Sequence, residues 1–172
     1  VVSATLEGFA EQVLQVARFA TPVSIAQVCA ALRGARLPDK AVLITFDDGY
    51  RSMYDYAWPI LKAWKIPAVV AVVGIWEDDR TTVNFDGKII PRAKLMSWKE
   101  LREMSDSGLV EIGSHSFDLH RGIKGNPQGS EQPATTTRQW LGGGRDYESE
   151  ATYRQRIEND MAKSSSDIKA HI

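Results

Sequence analysis

Leu6, Phe9, Val13 and Val16 recur at helical spacing, so residues 5 to 19 are predicted as an amphipathic helix. Ser24 followed by Gln27 is a capping-box pattern that opens a short second helix, and Gly34 ends it. Leu37-Pro38-Asp39-Lys40 marks a turn. Ala41 to Phe46 is then a near-continuous apolar run of strand length, the pattern of a strand covered on both faces. It leads straight into Asp47-Asp48-Gly49. Residues 52 to 64 return to the helical period, with Tyr54, Trp58, Leu61 and Trp64 in one stripe and Pro59 as a kink or junction. After Pro67 a second buried strand covers 68 to 73. Residues 77 to 94 are polar and turn-rich, with Asp86-Gly87 as a hairpin turn. Ser97 and Glu100 form a second capping box, opening a helix that Gly108 ends. Leu109 to Gly113 is a third short strand, running into Ser114-His115. Tyr153, Ile157, Met161 and Ile168 suggest a closing helix.

Strands alternating with helices are the α/β signature, with parallel strands. One stretch departs from it. Residues 121 to 147 are rich in Gly, Pro, Gln, Thr and Ser and contain Gly142-Gly143-Gly144, and they read as a long surface loop. The 172 residues fit a single domain over 1–172.

Composition narrows the function classes. At 43% hydrophobic and 25% charged the chain can build a core, which excludes wholesale disorder. A net charge of −1 argues against a general nucleic-acid surface. The single cysteine, Cys29, excludes an internal disulfide framework and a multi-cysteine zinc site, and reads as a packing residue on an apolar helical face. The longest apolar run, Ala68 to Gly74, is strand-sized, so no transmembrane segment is expected. The chain begins at Val1 without a signal peptide and reads as a mature or engineered segment. A helical pattern runs into Ile172 with no stop signal, so a cut C-terminus is expected.

Candidate chemistry lies at two strand ends. Asp47-Asp48 follows the first buried strand, and His115-Ser116-Phe117-Asp118-Leu119-His120 follows the third. In parallel α/β folds the C-terminal strand ends share one face, where sites are built. An Asp and two neutral imidazoles suit a divalent transition metal and leave positions open for water and substrate. A second carboxylate beside it can take a proton, and adjacent residues at a strand end point in opposite directions. Taken alone, Asp-Asp-Gly reads first as a turn, because Asp and Gly tolerate the dihedrals. His115 and His120 would sit about 140° apart on an ideal helix, so they fit one ion only on a loop. Asp118 either orients an imidazole or caps a turn. Tyr50 is placed to line the groove.

Thr45-Phe46-Asp47-Asp48-Gly49 and Ser114-His115-Ser116 resemble the first two motifs of the polysaccharide deacetylases, carbohydrate esterase family 4, also called NodB-like. The step of five from His115 to His120, with Gly108 to His115 and Asn126-Pro127-Gln128-Gly129 around it, resembles the branch that deacetylates poly-β-1,6-N-acetyl-D-glucosamine. The similarity runs from about Val42 to Ile168. The resemblance implies a distorted or incomplete (β/α) barrel, with Asp47 as general base and Asp48, His115 and His120 holding a divalent metal. Zinc is the first choice of ion, with nickel, cobalt or iron as alternatives. It implies hydrolysis of the acetamide of an N-acetylglucosamine polymer during biofilm formation, export to the periplasm, outer membrane or cell surface, and a further glycan-binding domain downstream.

The family's later motifs, with an arginine, groove-wall residues and a general-acid histidine, are not found here. His171 reads as a solvated helix-end residue rather than that acid. A barrel lacking its later strands is expected to leave edges exposed and to be poorly stable. Trp58 and Trp64 read as core. Trp76, Trp98 and Trp140 are open as sugar-stacking residues, and Arg138 and Arg145 read as solvated loop residues that could reach polymer. Two rival readings remain. A magnesium phosphatase would want an oxygen-rich ligand set. A non-catalytic carbohydrate-binding or scaffolding domain would keep the metal site without the full reaction set.

Overall fold

The helices Leu6–Phe19, Ile25–Leu32 and Trp98–Asp106 of this chain begin where the sequence supplies side-chain caps. In a computed structural model of the chain, which describes residues 5–78, 82–85 and 87–172, Thr5 Oγ1 accepts a hydrogen bond from Gly8 N and opens α1 (Leu6–Phe19). A short strand β1 (Thr21–Pro22) follows. Ser24 and Gln27 form the expected reciprocal capping box on α2 (Ile25–Leu32), and Gly34 leaves the helix at a φ of 102°. Cys29 is half-buried on α2.

The strand predicted over 41 to 46 is divided at Leu43. β2 (Ala41–Val42) pairs in parallel with β1, whereas β3 (Ile44–Asp47) pairs in parallel with a later strand. The segment therefore serves two sheets, and an apolar run carries no mark of a change of partner.

The helix predicted over 52 to 64 holds a π-turn, Met53–Ala57, before α3 (Trp58–Trp64). Pro59 has no N–H to offer the carbonyl four residues back, and Trp58 N–H reaches five residues back to Met53 O. The proline is absorbed as a widened turn instead of a break. Trp58 is buried, but Trp64 is 53% exposed, contrary to its reading as core. It sits about 120° round the helix from Trp58, off the apolar stripe.

β4 (Ala68–Val72) is the second predicted strand, with Ala68, Val70 and Val72 buried. After α4 (Gly74–Glu77), β5 (Thr82–Phe85) and β6 (Lys88–Pro91) pair antiparallel. Gly87 takes a φ of 70°, and Asp86 lies outside the described residues. A 3-10 turn, Arg92–Lys94, leads to α5 (Trp98–Asp106), capped by Ser97 and Glu100 as predicted. β7 (Val110–Ser114) completes a three-stranded sheet of order β3-β4-β7. β3 pairs with β4 in register from Ile44 opposite Ala68 to Asp47 opposite Ala71. Ala68 N bonds to Leu109 O and His115 N to Val72 O, so β7 runs parallel to β4.

The stretch read as a long loop, 121 to 147, instead carries two hairpins. They are β8 (Gly122–Lys124) with β9 (Glu131–Pro133), and β10 (Trp140–Gly142) with β11 (Arg145–Tyr147). Gly143 and Gly144 take φ values of 61° and 81° between β10 and β11, where a two-residue hairpin turn requires positive φ. The strands are three residues long, too short to show alternation. The chain closes on α6 (Glu150–His171).

The chain divides into two compact units. The first, residues 5–71, 93–113 and 172, buries Leu61, Val70, Leu95, Met96, Leu101 and Met104. The second, 72–92 and 114–171, has a small cluster of Leu119, Ile123 and Ala134 with Ile157 against it. In this second unit Glu148, 4% exposed, accepts hydrogen bonds from Arg156 Nη2 and Gln139 N. Its own carbonyl accepts from Arg138 Nε. Arg138, an exposed residue, thus ties this segment to Glu148, and the Arg145 side chain lies outside the described residues.

The Arg156 hydrogen bond holds the Glu148 carboxyl below its ordinary value of 4.5, more than burial raises it. A group with a lowered folded pKa stabilises the fold above the unfolded value, and the effect is lost as pH falls through the folded one. The urea midpoint is therefore expected to decline as pH is lowered from about 5, and Arg156→Met should lower it at neutral pH and flatten the acid decline. Parallel midpoint–pH curves for parent and variant would rule this pair out as a source of acid sensitivity.

Candidate metal centre

Asp47 is the last residue of β3 and is exposed. Asp48 then takes a φ of 72° and Gly49 one of 75°. Two successive left-handed residues turn the chain sharply, and a non-glycine residue there costs about 1 kcal/mol or more. The turn is bolted down by Met96 N donating to Gly49 O (2.9 Å) and by a bridge between Tyr50 and Leu95. Oδ1 of Asp48 is shielded from solvent. The turn reading of Asp-Asp-Gly is thus correct as local structure, and across it Asp47 is exposed whereas Asp48 is half-buried. Tyr50 is half-buried, and burial, then the Asp48 charge, push its hydroxyl above the usual tyrosine value. A phenol so placed stays protonated and keeps its donor.

The histidine segment is a loop, as ligation by both rings requires. Ser116, at a φ of 73°, breaks any helical run. Its Oγ accepts from Leu119 N, and Ser114 Oγ accepts from Ser116 N (3.0 Å). The His115 and His120 rings lie 4.6 Å apart, centroid to centroid, tilted by 43°. His120 stacks on Phe85 (4.6 Å, 9°) and meets Trp76 edge-on (5.4 Å). Trp76 is therefore a buried support of the imidazole, not an open sugar platform. Phe85 was not singled out by sequence, since it lies on a short hairpin strand. The Asp118 carboxylate lies 3.5 Å from Arg121 Nε, and Arg121 also donates to the Asp118 carbonyl, so Asp118 braces the turn that carries His120. A cavity of about 840 Å³ opens beside His115 and His120, lined also by Phe85, Arg121, Glu131 and Gln132.

One donor atom from each of Asp48, His115 and His120 lies within 4.8 Å of the others. One carboxylate and two imidazoles are the donor set that divalent transition metals take with positions left open, so these residues fit such an ion. His171 ends α6, as expected, and is half-buried there, its Nδ1 2.8 Å from the Asp167 carbonyl. Trp98 and Trp140 are half-buried, and Trp140 meets Tyr147 edge-on across its hairpin.

The family model for polysaccharide deacetylases matches residues 34–172. The chain belongs to the polysaccharide deacetylase family. A poly-β-1,6-N-acetyl-D-glucosamine N-deacetylase of Escherichia coli K12 is 41% identical over 154 residues, 88% of this chain and 23% of that protein. One from Staphylococcus aureus is 36% identical over 91 residues, 53% of this chain and 29% of the relative. The chain thus spans about a quarter of the length of these curated relatives. Among solved structures, the BpsB deacetylase domain from Bordetella bronchiseptica superposes with a TM-score of 0.88 at 41% identity, over 99% of this chain and 66% of that one. IcaB from Ammonifex degensii gives 0.71 at 27% identity, over 99% and 65%. The family fold is the deacetylase type expected from the sequence. Among the described residues the parallel pairings are a three-stranded sheet, β3-β4-β7, and the pair β1-β2.

Proposed function

We propose that this chain carries the metal-binding part of an N-deacetylase acting on poly-β-1,6-N-acetyl-D-glucosamine. The observation that carries the reading is its 41% identity, across 88% of its length, to a protein of that name. In this reading Asp48, His115 and His120 hold one divalent ion, zinc first. When bound, such an ion supplies Lewis acidity toward the acetamide carbonyl and makes water more acidic. Asp47, exposed and next to the ligand Asp48, accepts the proton of the attacking water. Tyr50 keeps its hydroxyl hydrogen and donates toward substrate at the groove wall. Phe85 and Trp76 fix the plane of His120. The cavity beside the histidines takes a sugar unit of the polymer.

Acetate leaves and an amine remains, which is protonated near neutral pH. The product polymer therefore gains positive charge, which alters its adhesion to anionic surfaces in a biofilm. The substrate places the protein outside the cytoplasm, at the periplasm or cell surface. No helix among the described residues is long and apolar enough to cross a membrane. A further glycan-binding domain belongs to the same proposal.

Acetate release from β-1,6-linked N-acetylglucosamine oligomers tests the reading. Release by the full-length protein should stop with chelator and return with zinc, cobalt or nickel. Chelator-resistant release, or none from any N-acetylated glucosamine oligomer, would overturn it.

A further inference from the structure

We infer that Asp160 and Ser164 on α6 are positioning residues that set the two imidazoles at their metal-binding spacing. The inference rests on the metal reading above.

The loop from Ser114 to His120 has no strand partner after His115, so its backbone donors must be satisfied from elsewhere. The consecutive N–H groups of Phe117 and Asp118 both point at the Asp160 carboxylate, at 2.8 Å to Oδ1 and 2.7 Å to Oδ2. Successive N–H groups that follow a left-handed residue form a concave anion site, and Ser116 at a φ of 73° is that residue. Here the anion is a side chain of the protein itself. Asp160 is only 9% exposed, and burying a carboxylate is costly unless charge-assisted hydrogen bonds compensate it.

Ser164 lies one helical turn further on the same face and is 1% exposed. Its Oγ is 2.7 Å from Ser114 Oγ, which in turn accepts from Ser116 N. Ser114, just before His115, and Phe117 and Asp118, on the way to His120, are therefore tied directly to one face of α6, and Ser116 is tied to it through Ser114. The Lys163 ammonium lies over the Phe117 ring at 5.0 Å, on that same turn of the helix.

The Gly74 side of the loop is held by two backbone hydrogen bonds. Gly74 N donates to Ser116 O (3.0 Å) and Ile75 N to Phe117 O (2.9 Å). A Cβ at Gly74 would stand 2.7 Å from Phe117 Cδ2, so the loop has no slack on that side. The hydrogen-bonding side chains on α6 are thus the adjustable half of the clamp. They hold the 4.6 Å ring separation before any ion arrives.

The test measures zinc affinity by calorimetry and the cobalt(II) absorption spectrum on the full-length protein, well below the thermal midpoint of each variant. Asp160→Asn replaces one acceptor with a donor that faces a backbone N–H. It should weaken zinc binding by about 10–100-fold, the cost typical of losing a ligand-orienting partner, and change the cobalt band. Asp160→Glu, which keeps the charge, should recover part of that loss. Ser164→Ala should shift both readouts in the same direction by less. Folded variants that bind zinc within about twofold of the parent, with the parental cobalt spectrum, would overturn the inference. If Asp160→Asn does not fold, Ser164→Ala decides by the same two readouts. A parent protein that takes up neither ion would instead overturn the metal reading itself.

Discussion

Asp47→Asn is expected to lower the rate of acetate release by about 10²–10⁴-fold while leaving zinc affinity unchanged. Asparagine keeps the shape of the side chain but cannot take a proton from water. The separation of roles follows from the turn. Asp47 ends β3 in extended geometry, and Asp48 next to it enters the left-handed region at a φ of 72°. Of the two neighbouring carboxylates, one is exposed and the other has a shielded oxygen. Steady-state kinetics on N-acetylglucosamine oligomers, with metal content measured on the same samples, checks this. A rate within about threefold of the parent at full metal occupancy would remove Asp47 from the chemistry. A loss of metal together with rate would make it a ligand instead.

His115→Ala is expected to have the other large effect. Removing an imidazole takes away a bond to the ion, so the loss of zinc affinity should exceed the 10–100-fold that losing a supporting hydrogen bond costs. Activity should fall with occupancy and return in part when zinc is raised. His115 is the better choice of the two histidines, because His120 also packs on Phe85 and Trp76, and its removal would disturb that cluster. Equilibrium zinc binding and acetate release at several zinc concentrations separate occupancy from chemistry. Parental affinity in His115→Ala would exclude this imidazole as a ligand.

The parts of the fold and site that could be read in the sequence are those set by short-range rules. Ser24 with Gln27 and Ser97 with Glu100 are local hydrogen-bond devices, and both helices start where they say. Asp47-Asp48-Gly49 carries its own turn chemistry, and the two histidines sit in one window. What escaped depends on partners distant in sequence. Leu43 gives no sign that the strand changes sheets, because β1 lies some twenty residues away. Pro59 announced a disturbance but not its form, since whether a helix kinks or widens depends on what it packs against. The hairpins within 121 to 147 are built from three-residue strands with no alternation to detect. Asp160 and Ser164 look like ordinary polar positions of a long helix. Their role shows only once the loop more than forty residues earlier is laid beside them.

Cobalt- or zinc-loaded crystals of the full-length protein, with anomalous diffraction collected at the metal edge, would examine the ligand set itself. The expected result is one strong peak about 2.0–2.2 Å from a carboxylate oxygen of Asp48 and from one ring nitrogen each of His115 and His120. A loaded crystal with its peak on other residues, or with these three side chains turned apart and no peak among them, would contradict the metal centre described above.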